Sequence, residues 1–219
     1  MPGLFITFEG TEGSGKSTQI SLLSEHVRSL GYSVMTLREP GGTPIGEEIR
    51  HTLKHSKNNH AMTAEAELLL LNASRAQLVR EVIRPSLERG EVVLCDRFYD
   101  STTAYQGYGR GLTLPLVKAI IDVAVGDTRP DLTLLLMVST ETSESRRLAR
   151  QSTMPFLRDR FEESDRAFFE RVARGFEEIA AAEPGRVRRL QAERSAPEIQ
   201  AAIQAAVEPL LRKCCQRLH

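Results

Sequence analysis

A glycine-rich stretch near the start of the chain reads Phe8-Glu9-Gly10-Thr11-Glu12-Gly13-Ser14-Gly15-Lys16-Ser17-Thr18. A glycine, four further residues and then Gly-Lys-Ser form the spacing of a phosphate-binding P-loop. The apolar residues 4–8 before it predict a buried strand, and apolar residues at helical spacing after it predict a helix. Glycines let the backbone turn its N–H groups inward, and the N-terminus of the helix adds partial positive charge. The stretch therefore predicts a binding site for the phosphates of a nucleoside triphosphate.

We expect the whole loop to contact ATP, through Gly10, Thr11, Glu12, Gly13, Ser14, Gly15, Lys16, Ser17 and Thr18. In such a loop the lysine reaches the outer phosphates, and the serine that follows it ligates Mg²⁺. The alternative is an ordinary glycine-rich turn after a strand. The strand before the loop and the Lys-Ser pair within it favour the phosphate site.

Predicted strands and helices alternate along the rest of the chain. Strands are predicted at residues 4–8, 32–37, 91–96, 132–138 and 187–190, and helices at residues 17–30, 45–53, 63–89, 114–125, 140–150, 161–182 and 195–212. This order predicts an α/β, three-layer P-loop fold, in which a five-stranded parallel sheet is flanked by helices on both faces and binds ligands at its C-terminal edge. We expect one domain over residues 1–219, with a mobile LID insertion at about residues 143–159.

The composition excludes several classes of protein. Lys plus Arg and Asp plus Glu both number 29, so the net charge predicts neither a nucleic-acid nor a membrane partner. No apolar run approaches the roughly 20 residues of a membrane span, and the start of the chain lacks the layout of a signal peptide. The cysteines Cys95, Cys214 and Cys215 do not form a disulfide pattern. We therefore expect a soluble, unprocessed protein of the reducing cytoplasm.

The end of the third predicted strand carries the sequence Asp96-Arg97-Phe98. An aspartate at the C-terminal edge of a sheet is suited to hold Mg²⁺ through water, and a neighbouring arginine is suited to bind a phosphate with its planar fork. The alternative is a buried ion pair. With Ser17 of the P-loop, Asp96 and Glu9 complete the set of expected metal ligands.

Two further groups of arginines suggest additional anion sites. One group surrounds a break at Pro155 and consists of Arg146, Arg147, Arg150, Arg158 and Arg160. It predicts a flap that brings guanidinium groups to a transferring phosphoryl group, although a solvated basic face is the alternative. The loop Arg38-Glu39-Pro40-Gly41-Gly42-Thr43, together with Arg75 and Arg97, provides basic groups for a second anion other than ATP. Two facing anion sites predict phosphoryl transfer to a phosphorylated acceptor.

At this point the chain resembles the bacterial thymidylate kinases over almost its whole length. The P-loop with its preceding Phe-Glu carries the resemblance, together with Arg38-Glu39-Pro40-Gly41-Gly42-Thr43, Arg75, Asp96-Arg97-Phe98, Ser101-Thr102-Thr103-Ala104-Tyr105-Gln106-Gly107, Pro130-Asp131-Leu132-Thr133 and Asp159-Arg160-Phe161-Glu162. The resemblance implies ATP-Mg²⁺-dependent phosphorylation of dTMP to dTDP, a step of dTTP biosynthesis, by a homodimer.

The resemblance also implies roles for individual residues. It places Glu12 near the sugar 3′-hydroxyl of dTMP, Arg75 at the base, and Arg38 and Arg97 at the acceptor phosphate. The nucleoside pocket is implied to contain Leu71, Ser101, Thr102, Tyr105 and Gln106. Lys16, Arg97, Arg146, Arg147 and Arg150 are the implied catalytic groups, which neutralise developing charge.

The chain departs from the family pattern at the base. Leu71 stands where the family usually has a phenylalanine that stacks on thymine, Phe98 replaces the usual tyrosine, and Met137 replaces a common aspartate. These differences leave open another nucleoside monophosphate kinase as an alternative. A non-catalytic nucleotide-binding switch is the alternative from a different class, although the chain has no Asn-Lys-x-Asp motif for reading guanine.

Overall fold

The computed structural model describes residues 3–153, 160–161 and 164–216, except for the side chains of residues 147, 150–153 and 214–216. The strands in this part of the chain are β1 (Leu4–Glu9), β2 (Val34–Arg38), β3 (Val92–Asp96), β4 (Leu132–Met137) and β5 (Val187–Gln191). The helices are α1 (Lys16–Ser29), α2 (Pro44–Lys54), α3 (Ala64–Leu78), α4 (Arg84–Glu88), α5 (Tyr99–Thr102), α6 (Leu114–Val125), α7 (Thr140–Thr153), α8 (Arg166–Ala182) and α9 (Ala196–Gln216). A short 3₁₀ turn lies at Asn59–Ala61, and π-helical turns follow α3 at Val79–Ile83 and α5 at Thr103–Gly109.

The described strands form one parallel sheet in the order β2-β3-β1-β4-β5. β1 lies at the centre and all of its residues are buried, as the continuous apolar run predicts. Phe8 of β1 is in register with Asp96 of β3. The P-loop and the Asp-Arg sequence therefore leave the sheet side by side at its C-terminal edge.

Helices cover both faces of the sheet. Leu4, Ile6 and Phe8 of β1 belong to a core shared with α1 and α9, whereas Phe5 belongs to a core shared with α3 and α6. Because side chains alternate along a strand, Glu9 lies on the same face as Phe5. The predicted three-layer arrangement with a five-stranded parallel sheet is confirmed for the described residues.

The helical segment predicted at residues 63–89 is confirmed over residues 64–88, where the π-helical turn at Val79–Ile83 separates α3 from α4. Two other predicted boundaries are wrong. The helix predicted from residue 161 begins at Arg166, because the Asp165 carboxylate accepts a hydrogen bond from the Phe168 N–H (2.7 Å) and caps it. α7 extends to Thr153, beyond the break expected at Gln151, while residues 154–159 of the expected LID lie outside the described residues.

The helical segment formed by α5 and its π-helical turn was not predicted, because its composition is polar and punctuated by glycines. Tertiary packing explains it. A Cβ atom on Gly109 would lie 2.6 Å from the ring of Phe168, so the glycine lets this segment pack closely on α8. None of the helices in the described ranges combines the length and the apolar character needed to cross a membrane.

Candidate active site

The P-loop connects the centre of the sheet to α1. Gly15 precedes the helix with φ 91°, and no side chain caps the N-terminus of α1. Gly10 has φ 132°, and a Cβ atom there would lie 2.3 Å from the carbonyl oxygen of Leu136. Only glycine permits this approach, so the loop lies against the end of β4 with the start of α1 open to an anion.

Lys16 is buried within the loop that contains it. Its ammonium group donates to the carbonyl oxygens of Gly10 (3.2 Å) and Thr11 (3.0 Å) and to Oγ of Ser14 (3.4 Å). Burial lowers the pKa of Lys16 to about 8. The lysine is therefore held in the position from which a bound phosphate would take over its hydrogen bonds.

The structure brings Ser17 and Asp96 together, as their predicted metal role requires. The Ser17 hydroxyl donates to the Asp96 carboxylate over 3.1 Å. A hydroxyl and a carboxylate oxygen are hard ligands of the type that Mg²⁺ prefers, and Mg²⁺ usually adds water and phosphate oxygens to a small number of protein ligands. The donor set at this point therefore fits a magnesium ion.

Glu9 has a different environment from the other two predicted metal ligands. Its carboxylate accepts hydrogen bonds from the N–H of Phe98 (2.8 Å) and from the N–H (3.2 Å) and hydroxyl (2.6 Å) of Ser101. Burial, together with the nearby Asp100, raises the pKa of Glu9 to about 7. Glu9 thus holds the start of α5, and the hydrogen bond between Ser17 and Asp96 does not include it.

A cavity lies next to the P-loop. The lining residues that the sequence predicted for the nucleotide acceptor are Glu12, Leu71, Arg75, Arg97, Ser101, Thr102, Tyr105 and Gln106. Residues that were not predicted complete the wall, namely Glu39, Pro40, Lys54, Phe98 and Phe161. Most of the predicted acceptor residues therefore share one cavity.

Arg97 joins the P-loop to this cavity. Its guanidinium donates to the Gly10 carbonyl oxygen (3.0 Å) and the Ser101 hydroxyl (2.9 Å), and it forms an ion pair with Glu12 (2.8 Å). The backbone of Arg97 has φ 69°, in the left-handed region that residues other than glycine seldom adopt. Such strain is concentrated at functional sites, where the surrounding contacts hold it.

Arg75 forms a buried part of the cavity wall. Its guanidinium is 2% exposed and pairs with the Glu39 carboxylate over 2.7 Å, and it also donates to the side chain of Asn72 (2.8 Å). Burial raises the pKa of Glu39, although the charge of Arg75 opposes this effect. Arg75 is therefore rigidly oriented before any ligand enters.

Neither Arg38 nor Arg146 lies in the cavity wall. Arg38 is about half exposed and bonds to Glu47 (3.0 Å). On α7, Arg146 donates to the Gly13 carbonyl oxygen (2.9 Å), and Ser143 donates to the carbonyl oxygen of Glu12 (2.7 Å). A Cβ atom on Gly13 would lie 2.9 Å from that of Arg146, so this glycine allows α7 to dock on the P-loop. The side chains of Arg147 and Arg150 lie outside the described residues.

The P-loop at the end of β1 lies beside a cavity that could hold a second substrate, as phosphoryl transfer requires. Comparison with known proteins supports the same class of reaction. The family model for thymidylate kinase matches residues 8–203. The chain belongs to the thymidylate kinase family.

It is therefore an enzyme of the kinase class, and its relatives within the family match nearly the whole chain. A thymidylate kinase of Pseudomonas syringae pv. syringae is 47% identical over 211 residues, which cover 96% of this chain and 98% of that protein. One from Deinococcus radiodurans is 47% identical over 207 residues, or 94% of this chain and 96% of that protein. The crystal structure of thymidylate kinase from Ehrlichia chaffeensis superposes with a TM-score of 0.74 at 32% identity, covering 94% of this chain and 99% of that one.

The sequence did not predict four polar or aromatic residues of the cavity, Glu39, Lys54, Phe98 and Phe161. Glu39 belongs to the loop that follows β2, and only the structure shows that it is buried in an ion pair with Arg75. Lys54 ends α2 and Phe161 lies in a turn before α8, so local periodicity gives neither of them a function. Only the packing of α2, α3 and the segment before α8 brings them to one cavity.

Proposed function

We propose that this enzyme transfers the γ-phosphoryl group of ATP to the phosphate of dTMP, with ATP on the P-loop and dTMP in the neighbouring cavity. The observation that carries this proposal is the bridge formed by Arg97, which contacts the Gly10 carbonyl oxygen of the loop and Glu12 and Ser101 of the cavity wall. Two anionic ligands on either side of this guanidinium would have their phosphates next to each other. Such proximity supplies much of the rate enhancement in phosphoryl transfer.

In this arrangement the protein forms no covalent bond to the substrate. An oxygen of the dTMP phosphate attacks the γ-phosphorus, the bond from that phosphorus to the β,γ-bridging oxygen breaks, and ADP leaves. Lys16 is placed to bind the outer phosphates, and Arg97 to balance charge on the acceptor side. Arg146, next to Gly13, lies on the lid side of the loop, and we retain Arg147 and Arg150 as further charge-balancing groups.

We propose Mg²⁺ as the accompanying ion, held by Ser17 and Asp96, whose oxygens lie 3.1 Å apart. When bound, the ion neutralises charge on the transferred phosphoryl group. Glu9, the third predicted ligand, is proposed to act by holding Ser101, which in turn contacts Arg97. The positions of Ser101 and Arg97 thus depend on Glu9, at the end of the strand that leads into the P-loop.

We retain four broader expectations as proposals. The exposed apolar side chains Leu69, Leu116 and Val123 on the adjacent helices α3 and α6 support a homodimer, which sedimentation of the Val123→Glu variant would test. The buried free thiol of Cys95 supports a reducing, cytoplasmic location. A single domain with a LID at about residues 143–159 is consistent with the docking of α7 on the loop.

The alternative acceptor specificity is favoured by one observation. Leu71 lines the cavity and provides no aromatic ring for stacking, which reduces the preference for any particular pyrimidine. An assay of ADP release with dTMP, dUMP, dCMP and dGMP as acceptors tests both readings. We expect the highest kcat/KM with dTMP. A higher value for another monophosphate would favour the broader kinase, and ATP turnover that no monophosphate stimulates would favour a nucleotide switch.

A further inference from the structure

Behind the cavity wall, the side chain of Glu67 is fully buried and accepts hydrogen bonds from three side chains. Gln106 donates from Nε2 (2.7 Å), Arg110 from Nε and Nη2 (3.1 Å each), and Arg160 from Nη1. Glu67 itself does not line the cavity. Its charge is balanced by the two arginines, since an unpaired carboxylate at such a position would be strongly destabilising.

The position of Glu67 on α3 connects it to the base end of the cavity. Leu71 and Arg75 follow it at intervals of four residues, so the three side chains share one face of the helix. Leu71 and Arg75 both line the cavity. Glu67 therefore supports the same wall from one helical turn further back.

Gln106 is the cavity residue that Glu67 contacts. Its side chain is 1% exposed, its Nε2 is bonded to Glu67, and its Oε1 has no hydrogen-bond partner among the described residues. Carboxylate oxygens only accept hydrogen bonds, so the amide nitrogen must face Glu67. The reversed amide would place two acceptor oxygens against each other. The orientation of the Gln106 carbonyl group is therefore imposed by its neighbour, and a buried acceptor is left without a partner.

We propose that Glu67 is a positioning residue that fixes the amide of Gln106, so that its carbonyl oxygen accepts a hydrogen bond from N3–H of a thymine or uracil base and disfavours cytosine. Thymine and uracil carry a hydrogen at N3, whereas N3 of cytosine is an acceptor. An acceptor facing a second acceptor leaves both unpaired in a buried site, which is the situation that gives enzymes their strongest discrimination. This inference rests on the proposed function, because it assigns the base end of the acceptor site.

Arg110 and Arg160 fix the Glu67 carboxylate in addition to its hydrogen bond with Gln106. Arg110 donates from Nε to the Glu67 oxygen that also accepts from Gln106, and from Nη2 to the other oxygen. Arg160 donates to that other oxygen and to the carbonyl oxygen of Met62 (3.0 Å). The acceptor oxygen that faces Gln106 is thereby fixed in position. A neutral amide at residue 67 has both a donor and an acceptor end, so it no longer imposes one orientation on Gln106.

The Glu67→Gln variant tests the proposal through the ratio of kcat/KM for dTMP to that for dCMP. We expect this ratio to fall about tenfold, the effect of losing one buried hydrogen bond, with most of the change in KM for dTMP. Glu65→Gln is the matched control, because it makes the same chemical change at an exposed position of the same helix. It should leave the ratio unchanged. An equal fall in both variants, or an unchanged ratio in Glu67→Gln, would overturn the proposal.

A double-mutant cycle examines whether Glu67 acts through Gln106. Gln106→Met should itself lower the ratio, and Glu67→Gln should add nothing further in that background. An additional fall of the same size would show that Glu67 acts by another route. If Glu67→Gln does not fold, side-chain amide hydrogen exchange of ¹⁵N-labelled wild-type protein decides, with the Gln106 signal identified by its loss in Gln106→Met. Slow exchange is expected, and exchange as fast as that of exposed glutamines would contradict the proposal.

The acceptor assay distinguishes a wrong proposed function from a wrong role for Glu67. If dTMP is not the best acceptor of the wild-type enzyme, the proposed function is wrong. Because uracil has the same N3–H as thymine, the ratio for dUMP to dCMP still tests Glu67 in that case. A fall of this ratio in Glu67→Gln would support the positioning role, and an unchanged ratio would overturn it.

Discussion

The two halves of the candidate site are built in different ways. The P-loop side is one continuous stretch whose backbone, glycines and single lysine surround a position for phosphate. The acceptor side is a cavity whose walls come from residues as far apart in sequence as Glu12 and Phe161. Binding by backbone groups is local and leaves a short pattern in the sequence. Recognition by side chains requires several elements to pack correctly, so no single short pattern defines it.

The P-loop side, or donor half, depends on the side chain of Lys16. Replacing this lysine should have the largest effect on activity. We expect Lys16→Met to lower kcat/KM by roughly 10³-fold or more, because the variant loses the positive charge that stabilises the transferred phosphoryl group. The melting temperature should not fall, since the variant removes an ammonium group that is costly to bury. Lys118→Met removes an exposed lysine that pairs with Asp122 on α6, and it should behave as wild type. Activity of Lys16→Met within tenfold of wild type would place the phosphate site elsewhere.

Arg97 belongs to both halves, so its removal should affect both substrates. We expect Arg97→Met to reduce kcat/KM by about 10²–10³-fold, the usual cost of losing a charged group at a transferring centre. Steady-state kinetics with each substrate varied in turn would measure the effect. Arg171→Met removes an arginine that donates to the Gly109 carbonyl oxygen outside the cavity, and it serves as the charge-matched control. A defect confined to one substrate would show that Arg97 does not join the two halves.

The lowered pKa of Lys16 predicts that the affinity for ATP, but not that for dTMP, changes with pH. Lys16 is charged below pH 8 and loses its proton as the pH rises through about 8 in the free enzyme. ATP should therefore bind more weakly above pH 8, by a factor approaching about tenfold per pH unit. Calorimetric titration of ATP between pH 6.5 and 9.5 checks this. The Lys16→Met variant separates this effect from the titration of Glu9, and the same dependence in that variant would assign it to another group.

The smallest expected effect concerns the base end of the acceptor half. Replacing Leu71 by phenylalanine should tighten dTMP binding by about two- to tenfold, because an aromatic contact adds roughly 0.5–1.5 kcal/mol beyond its area. Equilibrium titration of dTMP measures the dissociation constant. Leu30→Phe, at an exposed position at the end of α1, is the control. An unchanged or raised dissociation constant would show that residue 71 does not stack on the base.

The sequence predictions that succeeded concern features set by neighbouring residues. The P-loop, its strand and the parallel sheet were predicted because each depends on local spacing and on apolar runs. The segment of α5 and its π-helical turn was missed, since it becomes helical only where Gly109 packs on Phe168. The start of α8 was predicted too early, because the apolar pattern begins before Asp165. The Asp165 side chain caps the N-terminus of the helix and sets where it starts. Boundaries set by a single hydrogen bond are not visible in periodicity.

The sequence by itself determined the fold class, the phosphate loop and most of the residues that line the cavity. Its glycine spacing and buried strands leave little freedom, because backbone geometry and burial act over a few residues. Tertiary structure alone decided that Glu39 holds Arg75 and that Glu67 orients Gln106. These pairs join residues 36 and 39 positions apart, and their partners are chosen by the packing of helices on the sheet. A carboxylate can meet its donor there only after the chain has folded.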